Sequence, residues 1–148
     1  MTAVVLDSSC LIAAACDWHV HHDITVEDLE RRRRDRDRFI VPATALVEAY
    51  SVLTRLPLTF RLSPEAAAHV LEANWSRGES AALTAEEYWT LLRSESARGI
   101  GGGRIYDAAV AWCARIARAS ELLTWNVDHF APFAGDGLVI SRPRSSGG

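Results

Sequence analysis

At 148 residues, 49% of them hydrophobic, the chain suits one globular domain with a sizeable core. Its net charge of −3 excludes a global polycation, so any nucleic-acid contact has to be a local patch. All sixteen cations are arginine, which excludes a P-loop lysine and Schiff-base chemistry and favours bidentate contacts to phosphate or carboxylate.

The first element, Ala3 to Leu6, is a short, wholly apolar, β-branched run, as in a strand buried on both faces. It stops at Asp7. Buried in the body of the strand, an unpaired carboxylate would cost several kcal/mol. At the strand's carboxyl end it faces the crevice where parallel α/β sheets keep ligands. Ser8 or Ser9 is then placed to cap a helix from about Cys10, apolar at Leu11, Ile12 and Ala15.

Between Cys16 and Asp23 lie three histidines, a cysteine and two aspartates, but their spacing fits no zinc pattern. A polar loop flanking the crevice is expected, from which His21 or His22 could touch a substrate. Thr25 to Arg38 reads as a helix with Val26 and Leu29 inward. The arginine cluster from Arg31 to Arg38 reads as a solvated face, with an RNA-phosphate track as the rival.

Phe39 to Val41 is a second strand, ended by Pro42, and a helix follows to about Leu56. At about 100° per residue, Thr44, Glu48, Ser51 and Arg55 fall within roughly 60° of one another, with Leu46, Val47, Tyr50, Val52 and Leu53 over most of the rest. A narrow polar stripe holding one acid predicts a helix that lines a cleft.

Ser63 and Pro64 open a helix to about Trp75, Ala81 to Leu83 suggests a short strand, and Thr84 with Glu87 matches a capping box for a helix to about Ala97. Tyr88, Leu91 and Leu92 form its expected core face.

A glycine-rich turn, without the G-x-G-x-x-G spacing of a dinucleotide site, leads from Gly99 into a long helix to about Ala119. Asp107 lies in its first turn, and Arg104 is three residues away, within reach. Tyr106, Ala109, Val110, Trp112, Cys113 and Ile116 are its expected buried side. Glu121 to Thr124 is another strand, followed by a polar cluster holding Asn126 and Asp128. Gly137 to Ile140 closes the sheet. Residues 1–141 are expected to form the domain and 142–148 a disordered tail.

Cys10, Cys16 and Cys113 are odd in number and lack C-x-x-C spacing, which favours a reduced setting. The amino terminus has no basic leader, and no run approaches the roughly 20 apolar residues of a membrane span. A cytoplasmic protein is expected.

The acids follow strand ends, a narrow helix stripe and a helix start, so they converge on one sheet edge as hard oxygen ligands. That donor set selects Mg²⁺, with Mn²⁺ possible, over zinc. Carboxylate-held Mg²⁺ points in turn to phosphate chemistry with a metal-activated water. Without metal the clustered carboxylates should repel and protonate in part.

Four stretches, Val5-Leu-Asp7-Ser-Ser, Val41-Pro-Ala-Thr-Ala-Leu-Val-Glu48, Gly102-Gly-Arg-Ile-Tyr-Asp107-Ala and Leu122-Leu-Thr-Trp-Asn126-Val-Asp128-His-Phe, nearly span the chain. In this order they resemble the PIN-domain ribonucleases, and among them the VapC-type toxins of bacterial toxin–antitoxin pairs. The resemblance implies a single α/β domain with a parallel sheet of four to five short strands flanked by helices on both faces. It also implies a Mg²⁺-dependent endoribonuclease, a homodimer, and a VapB-type antitoxin that occupies the active site. Asp7, Glu48 and Asp107 match the family's first three acids. Asp128 is taken as the fourth, because Asn126 stands where the family often has an acid. Ser9, Arg104, Thr124 and Asn126 stand beside them as supporting or substrate-facing groups. Two other classes compete: a PIN-like module that has lost catalysis and only binds its partner, and a phosphatase using Asp7 as nucleophile. The phosphatase class wants an acid two residues on, where this chain has Ser9, and a lysine.

Overall fold

The computed structural model describes residues 2–147, so the last residue of the expected tail, Gly148, lies outside the described residues. Five strands, β1 (Ala3–Leu6), β2 (Arg38–Pro42), β3 (Glu79–Ala81), β4 (Glu121–Leu123) and β5 (Val139–Ser141), form one parallel sheet in the order β3-β2-β1-β4-β5. Val4, Val5 and Leu6 are consecutive, so they point to alternate faces of β1, and all three are inaccessible to solvent. Both faces of the sheet are therefore covered, as the apolar run predicts.

The cover is helical: α1 (Ser8–Ala15), α2 (His22–Arg34), α3 (Ala43–Arg55), α4 (Pro64–Trp75), α5 (Ala85–Ala97), α6 (Arg104–Ile116) and the single turn α7 (Val127–Phe130). From β1 the chain builds outward through β2 to β3, then returns to place β4 on the other side of β1. This reversal opens a crevice at the carboxyl ends of β1 and β4. The register pairs Leu6 with Leu123, and the Asp7 N–H donates to the Leu123 carbonyl at 3.1 Å, which brings Asp7 level with Thr124.

Helix signals hold where they are local. Ser63 Oγ accepts from the Ala66 N–H at 3.1 Å. Thr84 and Glu87 make the reciprocal capping box, at 3.1 and 2.8 Å. Gly99 and Gly102 turn the chain between α5 and α6 with φ of 74° and 59°, values that favour glycine.

Tertiary packing changes several expectations. Asp7, rather than Ser8 or Ser9, is the amino-terminal cap of α1. α2 spans His22–Arg34, one turn earlier than expected, because Arg36 takes a left-handed φ of 65° as the chain turns toward β2. β3 lies two residues before the expected Ala81 to Leu83. On the apolar side of α3, Val47 and Tyr50 are exposed and form an apolar groove of about 350 Å³ with Leu71 and Trp75. Small residues, Ala45 and Ala49, take the close-packed side of α3 with Leu53. In α6 the alanines from Ala108 to Ala111 do the same, so Tyr106 and Ile116 remain exposed, and on α5 Leu92 faces solvent while Glu95 is buried. Past β5, Ser146 donates to Glu27 of α2 through its N–H (2.9 Å) and its hydroxyl (2.7 Å).

The arginine cluster is not uniformly solvated. Arg32 is buried, with Nε donating to Asp28 at 2.9 Å and its two terminal nitrogens to Glu121 at 2.8 and 2.6 Å. Asp37 lies 3.6 Å away, and its other oxygen accepts from the Thr2 N–H at 2.9 Å. Arg31 also pairs with Asp28. This network ties α2 to the amino-terminal edge of the sheet, at β4 and just before β1 and β2. Arg32→Leu leaves Asp28 buried with one remaining partner and should cost about 3–5 kcal/mol in urea denaturation. Exposed Arg34→Ala should stay within about 0.5 kcal/mol. Equal effects from the two would make the cluster an ordinary surface run.

Candidate active site

Asp7 closes β1 and is nearly inaccessible, yet its two oxygens differ. Oδ2 accepts the hydroxyls of Ser9 and Thr124, each at 2.9 Å, and the Ser9 N–H at 3.5 Å. Oδ1 has a single long contact, from the Ser8 hydroxyl at 3.4 Å. One oxygen is thus saturated by the protein, and the other keeps lone pairs for a ligand. The hydroxyls are anchored in turn. Ser9 Oγ accepts from the Trp125 N–H and Thr124 Oγ1 from the Asn126 N–H, both at 2.9 Å. The turn after β4 therefore holds the carboxylate of β1 through two hydroxyls.

Glu48 comes from the polar stripe of α3. With Thr44, Ser51 and Arg55 it lines a cleft of about 670 Å³, faced by Tyr88 and Tyr106, so the predicted stripe does line a cleft. Burial pushes the Glu48 carboxyl above its ordinary range, and the charges of Asp7 and Asp107 add to this, partly offset by Ser8 and Arg55. Asp107, in the first turn of α6, is pushed up by burial and by Asp7, partly offset by His129 and then Arg104. Asp7 and Asp107 thus act on Glu48, and Asp7 acts on Asp107, so the three acids from three elements border one crevice.

Asp128, expected as the fourth acid, is exposed on α7 near the crevice rim. The adjacent residue faces Asp107: His129 Nδ1 lies 4.0 Å from Asp107 Oδ2. Sequence reasoning missed His129, although its place on a one-turn helix, about 100° around from Asp128, makes only one of the two able to face α6. Asn126 is exposed at the crevice rim, and Arg104 acts on Asp107 without a direct ion pair among the described residues.

Among the described residues, no three acid, imidazole or thiol groups are gathered closely enough to hold an ion as they stand. The chemistry of the donor set nevertheless fits a hard divalent cation. Asp7 Oδ1 is free of strong partners, and Glu48 and Asp107 carry charge that their surroundings oppose. The residues that would hold Mg²⁺ are these three carboxylates.

Comparison with known proteins bears on the family and the fold. The profile of the PIN domain matches residues 4–133, from β1 to the turn after α7. The chain is 37% identical over 118 residues to "Ribonuclease VapC40" of Mycobacterium tuberculosis, covering 80% of this chain and 82% of that protein. It is 42% identical over 80 residues to "Ribonuclease VapC27" of the same species, 54% of this chain and 56% of the relative. Among solved structures, Mycobacterium tuberculosis VapC20, described as a sarcin-ricin loop cleaving toxin, superposes with a TM-score of 0.68 at 14% identity, over 87% of this chain and 94% of its own. VapBC2 from Rickettsia felis, bound to a DNA fragment from its promoter, gives a TM-score of 0.68 at 20% identity, over 95% and 98%. These two structural likenesses concern the fold.

The repulsion has a stability consequence. A carboxyl whose folded pKa is raised binds protons more readily folded than unfolded, so it destabilises the fold above that pKa and the penalty fades as pH falls through it. In EDTA, Asp107→Asn should therefore melt at a higher temperature than the wild type at neutral pH. The gain should shrink as the pH is lowered toward the ordinary carboxylate range. A Tm that is unchanged or lower at every pH would mean that the acids do not repel.

Proposed function

The chain belongs to the PIN-domain family, in the branch that holds the VapC proteins, and on this basis we propose that it is a metal-dependent endoribonuclease, the toxin of a toxin–antitoxin pair. The observation that carries this reading is the convergence of Asp7, Glu48 and Asp107 at the carboxyl ends of β1 and β4, with one Asp7 oxygen left open.

A Mg²⁺ or Mn²⁺ ion held by these acids would supply the Lewis acidity that polarises a phosphodiester and acidifies a water. The protein's share is positional. Ser9 and Thr124 fix the Asp7 carboxylate in one orientation, so its free Oδ1 is aimed without reorganisation. Burial and the neighbouring acids oppose the charges of Glu48 and Asp107, which favours binding of a positive charge between them. Arg55 and Arg104 flank the acids and are suited to hold the non-bridging phosphate oxygens of RNA. His129 beside Asp107 is placed to pass a proton to the leaving oxygen. The phosphatase alternative draws no support here, since Ser9 holds Asp7 where a second acid would be needed. No helix of the described residues is long and apolar enough to cross a membrane, which is compatible with work in the cytoplasm.

Purified protein with Mg²⁺ or Mn²⁺ should cut RNA, EDTA should stop it, and Asp7→Asn should remove cleavage while leaving a folded chain. Asp128→Asn, changing an exposed acid near the rim, should cost about 10–100-fold in metal affinity or activity if it acts through water. Asn126→Asp should keep activity, and His129→Ala should lower kcat. Cleavage unaffected by EDTA or by Asp7→Asn would overturn the metal-dependent reading. An inert wild-type protein would leave the binding module that has lost catalysis.

The acid crevice beside Arg55 also suits an arginine-bearing segment of an antitoxin, whose guanidinium would occupy the place of the metal. Coexpression with the neighbouring gene product should give a complex without ribonuclease activity, each toxin protomer paired in a homodimer by light scattering. An uninhibited monomer would contradict both the antitoxin and the dimer.

A further inference from the structure

A second groove, of about 540 Å³, opens beside the acid cleft, shares Glu48 with it, and is lined also by Ser8 and Ser9, which contact Asp7. That volume falls in the range of small-molecule pockets, about 300–1,000 Å³. Its walls are largely rings. Trp18 and His21 come from the loop between α1 and α2, and Trp125 from the turn after β4. We propose that this groove stacks an unpaired base of the RNA strand next to the scissile phosphate, with Trp18 as the open stacking face. This inference rests on the ribonuclease reading above.

The rings are fixed before any ligand arrives. His21 lies flat on Trp125, with centroids 3.8 Å apart and planes 7° from parallel. The Trp125 indole N–H donates to Thr25 Oγ1 at 2.9 Å, and the Thr25 hydroxyl donates to the His21 carbonyl at 2.7 Å, closing a ring of contacts. Trp18 stacks on Phe60, with centroids 4.4 Å apart, which pins the loop to the segment after α3. Yet Trp18 keeps 41% of its surface exposed. A large aromatic held in place and still open to solvent is suited to recognition, because little freedom is left to lose on binding.

The chemistry favours a base over the alternatives. Among the described lining residues there is no arginine, so the groove is not built for phosphate. His19 Nδ1 accepts the His21 N–H at 3.0 Å, which keeps that nitrogen unprotonated, and burial with the neighbouring histidines lowers the His19 pKa. The ring faces are flat, Glu48 carries the lining's carboxylate at the side nearest the acids, and the Asn126 amide at the rim is able to meet a base edge. A scissile phosphate at the acids would leave the adjoining nucleotide next to this groove, across Glu48. Base stacking on aromatic side chains, beside cations that meet the backbone, is how single strands are commonly held.

The test uses Asp7→Asn protein, which should bind without cutting, and a fluorescein-labelled single-stranded RNA followed by anisotropy with Mg²⁺ present. Adding Trp18→Ala should weaken binding by about 5–100-fold, and Trp18→Phe should restore most of it. One abasic position in the RNA should cause the same loss, with no further loss in the Trp18→Ala protein. In otherwise wild-type protein, Trp18→Ala should raise KM far more than it lowers kcat. RNA binding that ignores Trp18 overturns the groove, even if the wild type cuts RNA. Loss of antitoxin binding with RNA binding unchanged also overturns it, by giving the groove to the partner protein. Failure of the wild type to cut any RNA tests the ribonuclease reading separately, because anisotropy does not depend on cleavage.

Discussion

The structure depends on one buried carboxylate. Asp7 sits where the chain reverses direction across the sheet, and the parallel register of β1 and β4 puts Thr124 within hydrogen-bond reach of it. An ionised side chain there is tolerable because two hydroxyls donate to a single oxygen, and each hydroxyl is polarised by a backbone N–H behind it. Such chains strengthen one another in a low dielectric, so the carboxylate is solvated by the protein itself. A slip of β4 by one residue would turn Thr124 away and leave the charge unsatisfied. Fold register and site geometry are therefore the same constraint.

The two ends of the sheet treat charge in opposite ways. At the amino-terminal edge, Arg32 is surrounded by Asp28, Asp37 and Glu121, and every buried charge has a partner. At the carboxyl-terminal edge, Glu48 and Asp107 meet burial and another acid, with cations acting only from a distance. Pairing serves stability and leaves nothing for a ligand to do. Unpaired acids cost stability and create a demand for positive charge, which is why perturbed carboxyls collect at functional sites. The stacked scaffold, with Val4, Val5 and Leu6 fully buried, supplies the margin in which that cost is tolerated.

Much of this was legible in the sequence because the signals were local. An apolar run ending in an acid, a capping box, and a stripe of Thr44, Glu48, Ser51 and Arg55 each encode their own geometry over one or two turns. What the sequence did not disclose depended on tertiary contacts. Hydrophobicity alone assigned Tyr106 and Ile116 to the buried side of their helix, whereas close approach of helices selected the alanines, and the larger side chains were displaced outward. The arginine run looked uniform, yet the fold chose Arg32 for burial because Glu121, distant in sequence, lies beside it. Asp128 drew attention by residue type, whereas the approach of His129 to Asp107 depends on the pitch of α7 and its packing beside α6.

Trp125 joins the acid site to the ring-walled groove. Its backbone N–H holds Ser9, which holds Asp7, while its indole packs on His21 and bonds to Thr25. A movement of the loop between α1 and α2 would act on the Trp125 ring and, through one peptide unit and one hydroxyl, on the orientation of the Asp7 carboxylate. The path is short and made of directional contacts, so a ligand that presses on the rings has a physical route to the reacting group. Because the same path fixes the carboxylate when the groove is empty, the site is aimed in advance, and a strand entering the groove has only to find its place.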